Sequence, residues 1–203
     1  MTVFVLLRHG VTAWNCEGRI QGRTDIPLSD KGNTKLTVRT VPDECRGFRT
    51  LASPLARCTE TAMALGLKDI VHDDRLVEMC WGAWEGRLLK ELRTELGGEM
   101  LLNEERGLDF TPPGGESPRG VLRRISSLLA EVAAEGRPTL AVTHKGVIRA
   151  IFAAASSWDM RGRPPFRLDW DALHLFHLDA AGAPGLLRMN VPLEPRALRE
   201  SLS

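Results

Sequence analysis

The first feature of this sequence that can do chemistry is a histidine between an arginine and a glycine, directly after a short apolar run. The run extends from Val3 to Leu7 and is typical of a buried strand, and Arg8, His9 and Gly10 follow it. An arginine can bind a phosphate through two parallel charge-assisted hydrogen bonds, and a neighbouring imidazole can attack phosphorus. Glycine leaves room for a bound anion. The stretch therefore predicts a phosphoryl-binding site at a strand end.

Two later segments supply an arginine and a histidine at comparable places. Ser53 and Pro54 predict an N-cap and a first helical residue, which puts Arg57 in the first turn, where free backbone N–H groups favour an anion. Residues 139–143 predict a buried strand that delivers His144 to the start of another helix. Fixed cationic and polar groups of this kind stabilise a phosphoryl group during transfer.

These residues belong to longer motifs. The motifs are Arg8-His9-Gly10-x-Thr12-x-x-Asn15, Gly18-Arg19-Ile20-Gln21-Gly22, Asp25-x-Pro27-Leu28-Ser29-x-x-Gly32, Ser53-Pro54-Leu55-x-Arg57-Cys58-x-x-Thr61-Ala62, and Glu78-x-x-x-Gly82-x-Trp84-Glu85-Gly86. Over about residues 3–150 the sequence resembles the histidine phosphatase superfamily, whose members include the cofactor-dependent phosphoglycerate mutases. The loop 111–117, with its Pro-Pro-Gly-Gly-Glu-Ser sequence, resembles the phosphatase branch of that family.

The resemblance implies a reaction and its residues. His9 would attack a small phosphomonoester, Arg8, Arg57 and His144 would bind the phosphoryl oxygens, and Glu78, as the family's proton donor, would protonate the leaving group. Water would then hydrolyse the phosphohistidine. No metal and no other cofactor is expected, because arginine and histidine supply the charge.

A second set of residues is expected to contact the substrate. Thr12 and Asn15 are polar groups close to His9, and Gln21 and Gly22 belong to the adjoining motif. Lys145 is a departure from the family, which usually has glycine after this histidine. We expect specificity to come from residues 87–113, Arg23, Gln21 and Lys145, but the pattern does not identify the metabolite. Glu85 is expected to be a structural hydrogen-bonding residue.

Composition limits the class of protein. The 203 residues, with 43% hydrophobic and 26% charged residues, fit one globular domain spanning 1–203. The net charge of +1 gives no reason to expect a nucleic-acid or membrane partner. No apolar stretch approaches the roughly 20 residues of a membrane span. The four cysteines lack a paired spacing and indicate free thiols, so we expect a cytoplasmic protein. A homodimer is left open, because 151–155 is apolar enough for core or interface.

The pattern of strands and helices predicts an α/β fold. Strands alternate with helices, which favours a mainly parallel, mixed sheet with helices on both faces, and the resemblance implies a three-layer sandwich of this kind. The expected elements are strands at 3–7, 48–52, 70–72, 139–143, 172–178 and 186–189, an extended stretch at 76–79, and helices at 30–38 (capped by Ser29), 54–65, 88–102 (interrupted at 97–98) and 118–135. Residues 10–28 are expected to be a loop, the tail after Pro192 mobile, and His174 and His177 structural.

Three other functions compete with a phosphatase. A phosphoglycerate mutase would return the phosphoryl group to a sugar acid, but mutases of this family carry a longer insertion before the second histidine, with extra arginines and tyrosines. Here only residues 79–143 separate Glu78 from His144, and the chain has no tyrosine. A non-catalytic module that binds phosphorylated partners would not need His9. A metallohydrolase would need metal-ligand spacings that the five histidines do not show.

Overall fold

The central strand of the molecule is the one that the first apolar run predicts. In the computed structural model, which describes residues 1–196, strand β1 spans Thr2–Arg8. Its side chains alternate between two cores: Phe4 and Leu6 face one, and Val5 and Leu7 face the other. All four are at most 1% exposed. A strand buried on both faces reads as a continuous apolar run, which is why the sequence signal is strong.

The described residues form a main sheet of six strands in the order β4-β3-β5-β1-β6-β7 and a two-stranded sheet of β2 and β8. The strands after β1 are β2 Arg39–Thr40, β3 Arg49–Ala52, β4 Val71–His72, β5 Thr139–Thr143, β6 Ala172–Leu178, β7 Pro184–Pro192 and β8 Glu194–Pro195. β4, β3, β5 and β1 run parallel to one another, whereas β6 is antiparallel to both of its neighbours, β1 and β7. The sheet is therefore mixed and mainly parallel, as predicted.

Helices cover both faces of this sheet. They are α1 Ala13–Glu17, α2 Asp30–Thr37, α3 Ala56–Ala64, α4 Leu89–Leu96, α5 Gly98–Glu104, α6 Pro118–Glu135 and α7 Lys145–Ser156. α6 and α7 bury their apolar stripes against Phe4 and Leu6, and α2 and α3 pack against Val5 and Leu7. A smaller apolar cluster joins α4 and α5 to Ile20 and Trp84. This arrangement confirms the predicted three-layer α/β sandwich.

Several helix ends follow their predicted signals. The Ser29 hydroxyl accepts a hydrogen bond from Gly32 N and caps α2, and Ser117 caps α6 through Gly120 N. Gly136, with φ of 65°, ends α6. The apolar stretch 151–155, which fitted a core or an interface equally well, supplies Ile151, Phe152 and Ala153 to the core.

Four expectations about local structure were wrong. Residues 10–28 are not all loop, because α1 forms at Ala13, with Thr12 as its cap. Helix α3 begins at Ala56 rather than at Pro54, since the Ser53 hydroxyl bonds a histidine ring instead of capping the helix. The expected extended stretch at 76–79 is too long by one residue, because Leu76 is the last residue of a 3-10 turn at Asp74–Leu76 and extended backbone begins at Val77. The chain after Pro192 pairs as β8 with β2; the rest of the predicted mobile tail, 197–203, lies outside the described residues.

Candidate functional site

The site lies where the parallel strands end. Arg8 at the end of β1 is paired in register with Thr143 at the end of β5, and Ala52 at the end of β3 lies opposite Val142. The residues that follow β1 and β5 are His9 and His144, whose ring centroids are 5.3 Å apart. Ligands of α/β sheets bind outside these carboxyl ends. The topology therefore brings together histidines that are far apart in the chain.

His9 is held as a neutral imidazole with one nitrogen available. Its Nδ1 lies 2.7 Å from the Gly10 carbonyl oxygen, which can only accept, so Nδ1 carries the proton. Burial lowers the pKa of His9 well below 6.5, and Arg8 and Arg57 lower it further. The side chain is 5% exposed. Nε2 therefore keeps its lone pair, as a nucleophile requires.

Arg57 is a completely buried cation without a carboxylate partner. Its Nη1 donates to the Thr24 carbonyl at 2.9 Å, its Nη2 to the Gly22 carbonyl at 2.7 Å, and its Nε to His144 Nδ1 at 3.3 Å. No carboxylate of the described residues lies within 4 Å of it. Burial lowers its pKa, but an arginine stays charged in a protein. A buried positive charge with no carboxylate partner among the described residues favours binding of an anion.

Arg8 adds a second cation of the same kind. Its Nε is buried and has no hydrogen-bond partner among the described residues, and no described carboxylate lies within 4 Å of the guanidinium. Burial lowers its pKa first, and Glu78 and Asp171 oppose that effect. Buried polar atoms are normally satisfied, so an N–H beside a nucleophile with no partner among the described residues is a candidate donor to a bound anion.

His144 is buried and engaged by its neighbours. Because an arginine can only donate, His144 Nδ1 accepts from Arg57, and Nε2 carries the proton and donates to the Ser53 hydroxyl at 2.8 Å. Cys58 Sγ lies 3.4 Å from the same nitrogen. Burial lowers the pKa of His144 well below 6.5, and His9 and Arg57 act in the same direction. His144 is therefore neutral before an anion binds.

Glu78 has the environment of a carboxylic acid that keeps its proton. Burial raises its pKa above the ordinary 4.5, against the opposing effects of the Met79 and Gly146 amides and of Arg57 and Arg8. Its Oε1 accepts from Met79 N at 2.8 Å and from Gly146 N at 3.0 Å. The Gly146 contact ties it to the first turn of α7, next to His144. A carboxyl group with a raised pKa can serve as a general acid near neutral pH.

Glu85 shapes the loop that holds Arg57. Its carboxylate accepts from Arg23 N, Thr24 N, Thr24 Oγ1 and Trp81 N at 2.7–3.1 Å. Gly22 has φ of 54°, and a Cβ there would lie 2.0 Å from Glu85 Oε1, so only glycine fits. These contacts aim the Gly22 and Thr24 carbonyls at Arg57. Glu85 is thus a structural hydrogen-bonding residue, as predicted.

The structure also positions Glu78 through residues that sequence reasoning missed. Arg124 on α6 donates to the Val77 carbonyl at 2.6 Å and pairs with Glu116 at 2.9 Å, and Arg23 Nε donates to the Glu78 carbonyl at 3.3 Å. A charged residue at the edge of an otherwise apolar helical stripe was the available signal for Arg124. Glu116, in the loop 111–117, holds the backbone leading to Glu78 through its pair with Arg124 and through its own N–H, which donates to the Cys80 carbonyl at 2.8 Å.

Thr61 and Asp25 are further residues whose contacts the sequence pattern did not reveal. Thr61 Oγ1 accepts from Gly10 N at 2.8 Å and donates to the Arg57 carbonyl at 2.6 Å, which ties the end of β1 to α3. The predicted anion position at the N-terminus of α3 is occupied within the chain, since Asp25 Oδ1 accepts from Ala56 N at 2.8 Å. The anion preference of this part of the site therefore rests on the guanidinium of Arg57.

The predicted substrate-binding residues divide into two groups. Thr12 and Asn15 form a capping box at α1, and Thr12 Oγ1 also lies 3.0 Å from Gln21 Oε1. Thr12, Asn15 and Gln21 therefore form hydrogen bonds with one another at the edge of the site. The Gly22 carbonyl accepts a hydrogen bond from Arg57. Lys145 stands apart: its ammonium lies 5.1 Å above the Trp170 ring and lines a neighbouring cleft.

Two further observations concern other classes of protein. Among residues 1–196, no group of three or more histidine, cysteine, aspartate or glutamate side chains could hold a metal ion. No helix in that part of the chain is long and apolar enough to cross a membrane.

Fold and site together define a mixed α/β protein with a largely buried site in which two histidines and two arginines are arranged to bind an anion. The family model described as the histidine phosphatase superfamily (branch 1) matches residues 4–192. The chain therefore belongs to this superfamily, which confirms the resemblance and the expectation of a phosphatase-type enzyme.

Individual relatives agree with this assignment. The chain is 32% identical over 164 residues to glucosyl-3-phosphoglycerate phosphatase of Mycobacterium tuberculosis, covering 74% of this chain and 73% of the relative. It is 31% identical over 162 residues to 2,3-bisphosphoglycerate-dependent phosphoglycerate mutase 2 of Gloeobacter violaceus, covering 74% of each chain. A solved mycobacterial glucosyl-3-phosphoglycerate phosphatase in complex with inorganic phosphate superposes with a TM-score of 0.76 at 26% identity, covering 95% of this chain and 98% of that one.

Proposed function

We propose that the chain hydrolyses a small phosphomonoester through a phosphohistidine on His9. The observation that carries this proposal is the combination at the sheet edge: a neutral His9 whose Nδ1 is held by a carbonyl, beside the buried Arg57 and the partly buried Arg8, neither of which has a carboxylate partner among the described residues. A tetrahedral phosphoryl dianion would supply the negative charge with which those arginines can pair. The phosphatase names of relatives support hydrolysis as the outcome.

In the first step the lone pair of His9 Nε2 forms a bond to phosphorus as the ester P–O bond breaks. Glu78 gives its proton to the leaving oxygen, so an alcohol departs and Glu78 becomes a carboxylate. The phosphorylated ring keeps the proton on Nδ1, and this N–H donates a hydrogen bond to the Gly10 carbonyl oxygen. Arg8 and Arg57 stabilise the charge on the equatorial oxygens, and an imidazole N–H of His144, released from Ser53, donates to one of them.

In the second step water attacks phosphorus while the Glu78 carboxylate takes its proton. The P–N bond breaks, inorganic phosphate leaves, and His9 and Glu78 return to their starting states. The route splits one difficult displacement into two easier ones. In both steps the protein's own side chains supply the charge and the proton transfers, so a chelator is expected to leave the reaction unaffected.

The test is phosphate release from a panel of phosphorylated metabolites in the presence of EDTA, with His9→Ala and His72→Ala in parallel. His72 is an exposed histidine bonded to Thr59 and serves as the matched control. We expect release by the wild type and by His72→Ala, and none by His9→Ala. A phosphorylated wild-type protein trapped by rapid quenching, stable in alkali and lost in acid, is the expected intermediate.

Other outcomes would point elsewhere. The panel includes 3-phosphoglycerate, and conversion to 2-phosphoglycerate without release would make the protein a mutase, the activity named for the Gloeobacter relative. Full activity of His9→Ala would contradict the phosphohistidine. Binding of phosphorylated ligands without turnover, unchanged in His9→Ala, would favour a non-catalytic binding module. The cellular compartment and the homodimer stay predictions.

A further inference from the structure

A second cleft adjoins the catalytic pocket. It has a volume of about 790 Å³ and lies between the start of α7 and the loop that precedes β6. Its walls carry four cations, Lys145, Arg149, Arg163 and Arg167. Trp170 also lines it, and the same tryptophan lines the cleft that contains Arg8 and His9. Trp170 and Asp169 therefore line both clefts, because β6 runs antiparallel to β1 and brings its preceding loop to the same sheet edge.

These four cations have no described carboxylate within 4 Å. Many other basic side chains do: Arg87 and Arg93, for example, pair with Glu95 and Glu104. The overall net charge is only +1, so the concentration of positive charge in one cleft does not follow from composition. A concave site lined by one sign of charge raises the local concentration of oppositely charged ligands.

The one acid in the wall is occupied by the backbone. Asp169 Oδ1 accepts from Asp171 N at 3.0 Å and shapes the turn that leads into β6. This carboxylate lies more than 4 Å from the nitrogens of Lys145, Arg163 and Arg167. The positive charge of the cleft is therefore not cancelled at contact distance.

The cleft is also held in place. Asn190 on β7 donates from Nδ2 to the Arg167 carbonyl at 2.9 Å and accepts from Asp169 N at 2.7 Å, which fastens the loop carrying the arginines. Lys145 rests over Trp170 at 5.1 Å, and Arg149 over Trp158 at 5.4 Å. Cations fixed by aromatic faces lose less conformational freedom when a ligand binds. Lys145 and Arg149 are thus held by aromatic faces, and Arg163 and Arg167 are exposed side chains on a loop that Asn190 anchors at the backbone of Arg167.

We propose that this cleft binds a second anionic group, a carboxylate or a phosphate, of the same phosphomonoester whose phosphoryl group is transferred to His9. Arg163 and Arg167 bind that group, and Lys145, next to His144 in the chain, lies between the two anions. The proposal rests on the phosphatase function above. It gives a role to the lysine that replaces the family's usual glycine, and it narrows the substrate class to phosphate esters with a second negative charge.

The experiment compares matched substrates that differ in the second anion. 3-Phosphoglycerate is paired with glycerol 3-phosphate, in which a hydroxymethyl group replaces the carboxylate, and fructose 1,6-bisphosphate with fructose 6-phosphate for a longer reach. For the wild type and for the double variant Arg163→Gln/Arg167→Gln, kcat/KM is measured for each member. We expect the wild type to prefer the more anionic member of at least one pair, and the double variant to lose about tenfold or more of that ratio.

Two further variants separate charge in the cleft from other effects. Arg163→Lys/Arg167→Lys keeps the charge and is expected to retain most of the preference. Arg137→Gln removes an exposed arginine at the opposite end of β5, which also lacks an ion pair among the described residues, and is expected to leave the ratio unchanged. The positions at 163 and 167 are exposed, so folding is not at stake.

The outcomes keep this inference distinct from the proposed function. An equal ratio in wild type and double variant for both pairs would overturn the second site while leaving a phosphatase. If no ester is hydrolysed, the proposed function fails, and calorimetric titration of His9→Ala with the same pairs then decides the inference by itself. A binding preference for the more anionic member, lost in the double variant, supports the cleft; no preference refutes it.

Discussion

At the scale of single residues, the surroundings of the site favour the neutral forms of two titratable groups, the His9 imidazole and the Glu78 carboxyl group. Burial acts on both His9 and Glu78, but with opposite consequences, because it always disfavours the charged form. It lowers the pKa of the His9 imidazole and raises the pKa of the Glu78 carboxyl group, which favours the neutral form of each. A neutral nucleophile and a protonated acid are what phosphoryl transfer to His9 requires. The same physical cause thus prepares both reaction partners.

Replacement of Glu78 by glutamine tests the acid role. Glutamine keeps the shape but carries no transferable proton, so hydrolysis of an alkyl phosphate should slow by about 10²–10⁴. 4-Nitrophenyl phosphate, whose leaving group departs without a proton, should show a much smaller loss in the phosphorylation step. Single-turnover rates of ester cleavage measure both. Glu105→Gln, at an exposed site on the same chain, is the control; equal losses on the two esters would contradict the assignment.

The pH profile of kcat/KM should reflect these two shifts. The pKa of His9 is lowered well below 6.5, so activity should persist under acidic conditions that protonate an ordinary histidine. The pKa of Glu78 is raised above 4.5, so activity should decline as pH rises through that raised value. The alkaline limb should disappear in Glu78→Gln. A limb near 6.5 that falls toward low pH would contradict a neutral His9, after correction for the substrate's own ionisation.

At the scale of elements, the site depends on connections between segments that are distant in sequence. Thr61 joins α3 to the end of β1, Ser53 at the end of β3 bonds His144 after β5, and Glu85 fastens the loop 22–24 that binds Arg57. The elements themselves position the reacting groups, and these few polar contacts fix their distances. Loss of a single one should therefore misplace a residue that it does not touch directly.

Glu85→Gln tests this indirect positioning. An amide has one acceptor oxygen and cannot accept from the Arg23, Thr24 and Trp81 groups together, so its NH₂ would face N–H donors. We expect a loss of about 1–3 kcal/mol in the free energy of unfolding and a fall in kcat/KM as Arg57 loses its carbonyl ligands. Urea denaturation and steady-state kinetics measure the two effects. Glu95→Gln, an exposed partner of Arg87, is the control, and an unchanged kcat/KM in Glu85→Gln would contradict the indirect role.

The same contacts mark the boundary of what the sequence could predict. Arg8, His9, Arg57 and His144 were predicted because a buried apolar run or a helix-start signal places each of them at an element end. Glu78 was predicted only from the resemblance to the family. Ser53 was misread as a helix cap, since its partner His144 lies far along the chain and no local pattern records it. The role of Arg124 depends on the backbone of Val77, which is likewise a tertiary contact. Local sequence patterns predict helices and strands, whereas the partners of side chains that lie far apart in the sequence are known only from the folded structure.

At the scale of the whole molecule, β1 is shared by both main apolar cores, since its alternate side chains enter one and then the other. Separate unfolding of either layer would expose this strand. We propose that the chain forms one cooperative domain and expect a single urea transition, coincident by far-UV circular dichroism and tryptophan fluorescence. Two resolved transitions would show instead that the region around α4 and α5, with its own small cluster, unfolds independently.

The positive charge that the site concentrates should also reduce the stability of the whole protein when no anion is bound. Arg8 places a guanidinium with a buried, unpartnered Nε beside Arg57, and neither has a described carboxylate within 4 Å. A bound tetrahedral anion should stabilise the fold, by about 2.7 kcal/mol at a concentration one hundred times its dissociation constant.

Arg8→Met removes one charge and keeps an apolar side chain of similar length, so its Tm without ligand should equal or exceed that of the wild type. The Tm increase with vanadate or phosphate should shrink sharply in this variant, whereas Lys68→Met, at an exposed lysine outside the site, should keep it. Thermal melts of the three proteins with and without each anion make the comparison. If Arg8→Met lowered the ligand-free Tm by several degrees, Arg8 would be a structural cation, and the view that its charge is reserved for the substrate would be wrong.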